Sequence, residues 1–363
     1  MIYIVFFLLS AFLVHKGCNT SRDKTRKIYF VTAMLFMAVF SGLRDYTVGT
    51  DTLLYGVSVF DSARLIPNFF SLISSVEDIE PGYLLLNYIC AQFFSDAYGF
   101  FFTMSLLNYS ILLKAVYDYK NEISPGCAWL IYCFLFFGDS LNIMRQSIAM
   151  AILLCGFKYI RIRNLKKFTI VVVIASTFHI TALIGMVFYM LYILMEKKTK
   201  WIHYVWICLI IVTLIFLYDK ILILAVSIGL NPKFLRYLSD SSFHFIFSAT
   251  MIRVFPLVVV FIYWKNYKTC KEAHFFLIIM IMELLLFQMA TMSSTFYRVS
   301  SYFGYYKIFA YSSICKKKRL KKADNDKVVP VILMTFMMLI FVYEVIVNNG
   351  NEIYPYTSEI LKI

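Results

Sequence analysis

The chain has 363 residues, of which 61% are hydrophobic and only 15% charged, and its mean hydropathy is +0.74. A soluble domain is nearer half apolar and a quarter charged. A soluble fold is therefore excluded, and lipid must solvate much of the chain. The net charge of +14 would suggest nucleic acid in a soluble protein; here it reads as positive charge holding loops on the cytoplasmic face.

The expected fold is an all-α integral membrane bundle, a single polytopic domain over residues 1–363. The first apolar run, 2–14, lacks a basic leader and a small-residue cleavage site, and its positive charge follows it at Lys16, Arg22, Lys24, Arg26 and Lys27. It reads as a first span with its N-terminus outside. Further spans are expected at 28–43, 98–116, 126–138, 148–160, 168–178, 180–194, 202–217, 250–264, 274–292, 299–315 and 328–347, about 12 in all. Several are short, and flanking Tyr and Lys can lengthen them by snorkelling. Phe168 to Leu194 is apolar throughout with basic loops at both ends, so a hairpin of two short helices turning near His179 is expected. Tyr83 to Phe94 reads as a re-entrant or interfacial helix, because a full crossing there would put the basic loop at 158–167 outside unless 53–76 holds a hidden span. The loops at 158–167, 197–200, 265–271 and 316–322 are expected to be cytoplasmic, which places 44–81, 139–147, 218–249, 293–298 and the tail from Asn348 outside. The eight cysteines contain no CxxC pair and most lie in or beside apolar runs, so they read as packing residues.

Functional candidates stand at the outer span ends. In the run from Arg44 to Tyr55, Gly49 suits a turn with positive φ, and Asp51 and Thr52 could cap a following helix. Those roles do not explain Arg44 on the charge-poor side. Arg145 also opposes the positive-inside trend. Its planar fork suits phosphate or carboxylate, or an ion pair with Asp139 or Asp51. His179 at the hairpin turn is either a hydrogen-bonded turn residue or a proton carrier. Arg298 marks another outer span end, and Glu80 offers a carboxylate. Glu283 is mid-span and reads as neutral and hydrogen-bonded. No phosphate loop, GxSxG, HExxH or metal-ligand spacing is present. The charges gather at one face, which favours an enzyme over a transporter.

At these residues the chain resembles the EpsG family, Wzy-type polymerases of bacterial O-antigen (lipopolysaccharide), capsule and exopolysaccharide. Arg44–Tyr55 matches the signature R-D-x-x-V-G-T-D-T-x-x-Y. Glu80-Pro81-Gly82-Tyr83, Arg145-Gln146-x-Ile148-Ala149, Phe178-His179-x-x-Ala182-Leu183, Tyr297-Arg298-x-x-x-Tyr302 and Tyr354-Pro355-Tyr356 look like its later landmarks in order. The resemblance implies a bundle of the GT-C type, in the bacterial cytoplasmic (inner) membrane, with its site facing the periplasm or cell exterior. It implies metal-independent glycosyl transfer, without cofactor, between undecaprenyl-diphosphate-linked donor and acceptor oligosaccharides. A flippase and a chain-length regulator are the protein partners it suggests. His179, Asp51 and Glu80 are then the candidates for general base, and Arg44, Asp45, Tyr55, Arg145, Gln146, Arg298 and Tyr302 for substrate binding. Ligation of a finished glycan, as by an O-antigen ligase, and non-enzymatic export of a lipid-linked glycan are the alternatives.

Overall fold

The computed structural model describes residues 2–196, 201–229, 235, 238, 244–316 and 328–362, and every regular element among them is helical. The basic segments 197–200 and 317–327 lie outside the described residues. The chain divides into two compact units, Met1–Met186 with Tyr311–Ile363, and Val187–Ala310.

In the first unit α1 (Ile2–Asn19) and α2 (Asp23–Gly42) run antiparallel, with Phe6 stacked on Phe36 and Phe40. After α2 come a single π-helical turn (Thr52–Val57) and two short helices, α3 (Ser58–Leu65) and α4 (Phe69–Ser75). Then follow α5 (Pro81–Phe93), α6 (Ala97–Asp118), α7 (Pro125–Asn142), α8 (Met144–Arg161) and α9 (Leu165–Phe178). Local sequence accounts for several of these helix starts. Proline opens α5 and α7, where a missing N–H costs nothing. Asn68, Asp96 and Asn164 accept backbone N–H bonds at the starts of α4, α6 and α9, satisfying donors that a helix leaves open.

The expected turn at His179 is present. α9 ends at Phe178, His179 is extended, and a 3-10 turn (Ile180–Ile184) leads into α10 (Gly185–Glu196). The chain doubles back there, with Met186 returning to Thr169 and Gly185 lying against Val172.

The second unit contains α11 (Trp201–Phe216), α12 (Tyr218–Ser227), α13 (Phe247–Ile262), α14 (Trp264–Tyr267), α15 (Ala273–Gln288), α16 (Ser294–Tyr305) and the start of α17 (Lys307–Ile314). α18 (Val328–Phe341) returns to the first unit and packs on α7. Among the described residues four helical runs, Ile2–Asn19, Ala97–Asp118, Ala273–Thr291 and Val328–Val347, are long and apolar enough to cross a membrane.

The C-terminal tail is stitched to the first unit by polar contacts. Asp45 N–H donates to Thr357 O at 3.0 Å, Gly49 N–H to Glu352 O at 2.9 Å, and the Tyr356 hydroxyl to Phe40 O at 2.6 Å. Tyr3 donates to Ile353 O, and its ring meets Phe40, Phe137, Phe341 and Tyr356 edge-on. The tail thus closes over the loop that carries Arg44 and Gly49.

Candidate functional site

Three residues from distant parts of the sequence converge in the first unit. The Glu80 carboxylate takes Arg145 Nη1 on Oε2 at 2.5 Å. Its Oε1 lies 2.8 Å from His179 Nδ1 and accepts the Ile180 N–H at 3.1 Å. The side chains are 18%, 13% and 10% exposed for Arg145, Glu80 and His179. A carboxylate can only accept, so Nδ1 carries the proton and the Nε2 lone pair is left for other work. Nε2 is buried and finds no hydrogen-bond partner among the described residues.

Local sequence explains the convergence. Glu80 precedes Pro81 and the first turn of α5. A Cβ on Gly82 would lie 2.5 Å from Thr177 Oγ1 and 2.8 Å from Thr177 O. Only glycine lets the start of α5 approach the last turn of α9 this closely, and that approach brings Glu80 to His179. Tyr83, one residue on, is fully buried and donates to Tyr55 O at 2.8 Å. The Arg145 guanidinium lies 4.9 Å from the Tyr55 ring centroid and 5.8 Å from that of Tyr83. Two aromatic faces therefore fix a cation whose fork points at a carboxylate.

Glu80 lies in the loop before α5. Burial pushes its carboxyl up, but the His179 hydrogen bond, the Arg145 charge and the Ile180 N–H together outweigh burial and hold it at about 2. The folded value is depressed below 4.5, so its stabilisation is complete above about pH 4.5 and is lost as pH falls towards 2. That gap corresponds to roughly 3 kcal/mol. Thermal melts of the detergent-solubilised protein from pH 6 to pH 2.5 are expected to show an acid loss of stability that Glu80→Gln flattens. An unchanged acid limb in Glu80→Gln would remove the carboxylate from that role.

Arg145 does not pair with Asp139 or Asp51, the partners its sequence neighbourhood suggested. Asp139 instead accepts from Asn351 Nδ2 at 3.2 Å. The Asp51 side chain does not cap the helical turn that follows it; its backbone N–H donates to Asn142 Oδ1 at 3.4 Å. Thr52 donates to Val48 O at 2.8 Å and likewise makes no cap. Gly49 has φ +105, and a Cβ there would come within 2.7 Å of Asn142 Oδ1, which the expected turn glycine satisfies.

Arg44 is 1% exposed. It donates from Nη1 to Ser41 O at 2.5 Å, from Nε to Val48 O at 3.2 Å and from Nη2 to Leu141 O at 2.9 Å, and it lies 4.7 Å from the Phe101 ring centroid. Its fork is spent on main-chain carbonyls that fix the loop and the α7–α8 corner, beside the start of the helix that carries Arg145. Burial lowers its pKa to about 10, which leaves it a cation at neutral pH. Arg44→Met would take the side-chain donor from the Ser41 and Leu141 carbonyls, each costing about 1–3 kcal/mol, so the protein's abundance in membranes is expected to fall several-fold on an immunoblot. Normal abundance with lost activity would instead return Arg44 to substrate binding.

Of the remaining candidates, Asp45 Oδ1 accepts the Glu359 N–H at 2.8 Å and anchors the tail. Gln146 is buried on the first turns of α8. Arg298 and Tyr302 stand on α16 in the second unit, Arg298 half-buried and Tyr302 buried.

The second unit corrects the expectation for Glu283. Glu283 is not a neutral hydrogen-bonded acid but is ion-paired. Its Oε1 lies 2.8 Å from Lys307 Nζ and 3.2 Å from Arg253 Nε. Lys307 and Glu283 are both buried, so ionisable groups are not confined to span ends. Tyr83, Gly82 and Thr177 were missed as supports of the site, and so were Arg253 and Lys307 as partners of Glu283. The glycine in Glu80-Pro81-Gly82 was the one available signal.

The sequence profile described as the EpsG family matches residues 27–358, most of the chain and all of the Arg145, Glu80 and His179 cluster. The chain belongs to the EpsG family. No curated protein and no solved structure matches it. This EpsG-family chain is a membrane protein of polysaccharide biosynthesis, and its apolar helices agree with that.

Proposed function

We propose that the chain is a Wzy-type polymerase, joining undecaprenyl-diphosphate-linked repeat units at the outer face of the bacterial cytoplasmic membrane. The observation that carries this reading is the Glu80 carboxylate bridging Arg145 and His179. The reaction needs an anchor for a diphosphate leaving group and a base for an acceptor hydroxyl. Arg145 supplies a bidentate cation and His179 a basic nitrogen. Glu80 is the orienting carboxylate, and His179 is the choice of base among the three acid–base candidates. Asp51 is left without that role.

In the transfer, the acceptor hydroxyl oxygen bonds to the donor's anomeric carbon while the bond from that carbon to the diphosphate oxygen breaks. The hydroxyl proton goes to His179 Nε2. The undecaprenyl diphosphate leaves with its charge held by Arg145. Because Nε2 is enclosed, the acceptor reaches it only when the side chains around it give way. Arg44 is assigned to scaffolding. Arg298 and Tyr302 stay substrate-binding candidates of the second unit. Twelve spans with α5 as a re-entrant helix, basic loops inside and the site outside complete the proposed architecture, with a flippase and a chain-length regulator as protein partners.

The test is polymerisation by purified protein given lipid-linked repeat units in excess EDTA. No group of three or more His, Cys, Asp or Glu side chains suited to a metal occurs among the described residues, and the lipid diphosphate already stores the bond energy. Chain growth is expected without added metal or nucleotide. Activity lost in EDTA and restored by Mg²⁺ would overturn the mechanism.

A further inference from the structure

Tyr55 sits in a single π-helical turn, Thr52–Val57, closed by the Ser58 N–H on Leu53 O. Such a turn takes one more residue than an α-turn and persists where its surroundings hold it. Leu53 and Leu54 give it little grip, being 54% and 62% exposed. Two other contacts hold it. A Cβ on Gly56 would collide with the Phe101 ring and lie 3.3 Å from Met144 Cε, so glycine lets the turn press on α6 and the first residue of α8. The second is the buried Tyr83, whose hydroxyl donates to Tyr55 O at 2.8 Å. The Arg145 guanidinium depends on this support. Asp78 O and Glu80 Oε2 both take Nη1, which pins one corner of the guanidinium and leaves its plane to the rings beside it. The nearer ring is that of Tyr55, at 4.9 Å against 5.8 Å for Tyr83.

We propose that the Tyr83 hydroxyl is a positioning group for the anion site. By holding the carbonyl of Tyr55 it sets the Tyr55 ring, and that ring turns the Nε and Nη2 edge of Arg145 towards the donor's diphosphate. The inference rests on the polymerase reading and adds how its diphosphate anchor is aimed. Tyr55 then supports Arg145 and does not itself touch the donor. The Arg44–Tyr55 run gains one mechanical role. Arg44 lies on the face of Phe101, Phe101 meets Gly56, and the residue before Gly56 is Tyr55. The run thus ends in the ring that orients the second arginine, through contacts that follow one another without a gap. A bidentate grip on a diphosphate is directional, so an arginine of the right charge in the wrong plane binds it weakly.

The test is binding of a two-isoprene diphosphate to the detergent-solubilised full chain, measured by calorimetry beside thermal melts. Tyr83→Phe keeps the buried ring and removes the hydroxyl alone. It is expected to weaken the Kd about three- to tenfold, which is what one net hydrogen bond carries. Tyr88→Phe is the matched control, because Tyr88 stands on the same helix and also donates to a main-chain carbonyl, Pro67 O, at 3.2 Å. It should leave the affinity within about twofold, a change no larger than ordinary scatter between independent sites. Tyr55→Leu removes the ring and should weaken binding at least as much as Tyr83→Phe. Adding Tyr83→Phe to Tyr55→Leu should then change nothing further, since the hydroxyl acts through that ring. Losses that add in the double variant, equal weakening in Tyr83→Phe and Tyr88→Phe, or a Tyr83→Phe that melts lower but binds normally each overturn the inference. Normal affinity in Tyr55→Leu overturns it too, whether or not Tyr83→Phe accumulates. Wild-type protein that does not bind the diphosphate overturns it together with the anion role of Arg145. Wild-type protein that shows the expected pattern but polymerises no lipid-linked repeat units would sink the polymerase reading and leave the role of Tyr83 standing.

Discussion

Arg145→Lys is expected to stop chain growth almost completely while the protein stays at its normal level in the membrane. Lysine keeps the charge but loses the planar fork. It cannot stack across the Tyr55 and Tyr83 rings, engage Glu80 and grip two diphosphate oxygens in a fixed direction. Losing one preorganised donor to a developing anion typically costs about 10²–10³ in rate. A glycan ladder should collapse to acceptors bearing a single repeat unit, because export and ligation continue while polymerisation stops. The rival account is structural. If Arg145 only neutralises Glu80, Arg145→Ala leaves a largely buried carboxylate unpaired, which is strongly destabilising. Abundance should then fall, and the pair Arg145→Gln with Glu80→Gln should restore abundance. A full-length ladder from Arg145→Lys at normal expression would take Arg145 out of the site. Complete loss of exported repeat units, with the protein present, would favour a transport role instead.

What the sequence disclosed of this site depended on how local the physics was. Gly49 and the turn at His179 were legible because each is a short-range conflict, one of backbone conformation and one of charge on both sides of an apolar run. Ion-pair partners were not. Arg145 stands six residues from Asp139 but pairs with Glu80, 65 positions away, and Gly82 lets α5 lie against α9, which brings the same carboxylate to His179. No periodicity in either segment contains that contact. Arg44 was read as a charge on the wrong side of the membrane, which is a statement about water. The fold instead buries it among the carbonyls of Ser41, Val48 and Leu141, where a cation replaces backbone donors that the loop cannot supply. Glu283 failed similarly. Its mid-span position signalled cost, and the cost is met by Lys307 and Arg253 on other helices, neither of which its own neighbourhood predicts.

Glu80→Gln is expected to abolish turnover nearly as fully as His179→Ala, although it leaves the imidazole in place. The carboxylate does two things for His179. It accepts the Nδ1 proton at 2.8 Å, which fixes the tautomer with a free Nε2, and it stabilises the imidazolium that forms once Nε2 takes the acceptor proton. Glutamine can do neither reliably. Its amide N–H₂ can donate to Nδ1 and so favour the tautomer in which Nε2 carries the proton and cannot act as a base. General-base loss alone is worth roughly 10²–10⁴ in rate, and Glu80→Gln should fall in that range. Glu80→Asp should retain more activity than Glu80→Gln, because it keeps the charge while shortening the reach. Since Glu80 also supports folding through Arg145, each rate must be expressed per molecule of folded protein, from single-turnover assays beside a quantitative immunoblot. His179→Ala should keep normal abundance, because the Arg145 pair to Glu80 survives it. Turnover by Glu80→Gln within about threefold of wild type, a difference of under 1 kcal/mol in the barrier, would show that His179 needs no orienting carboxylate. The acid–base assignment would then pass from this dyad to Asp51, the third of the acid–base candidates.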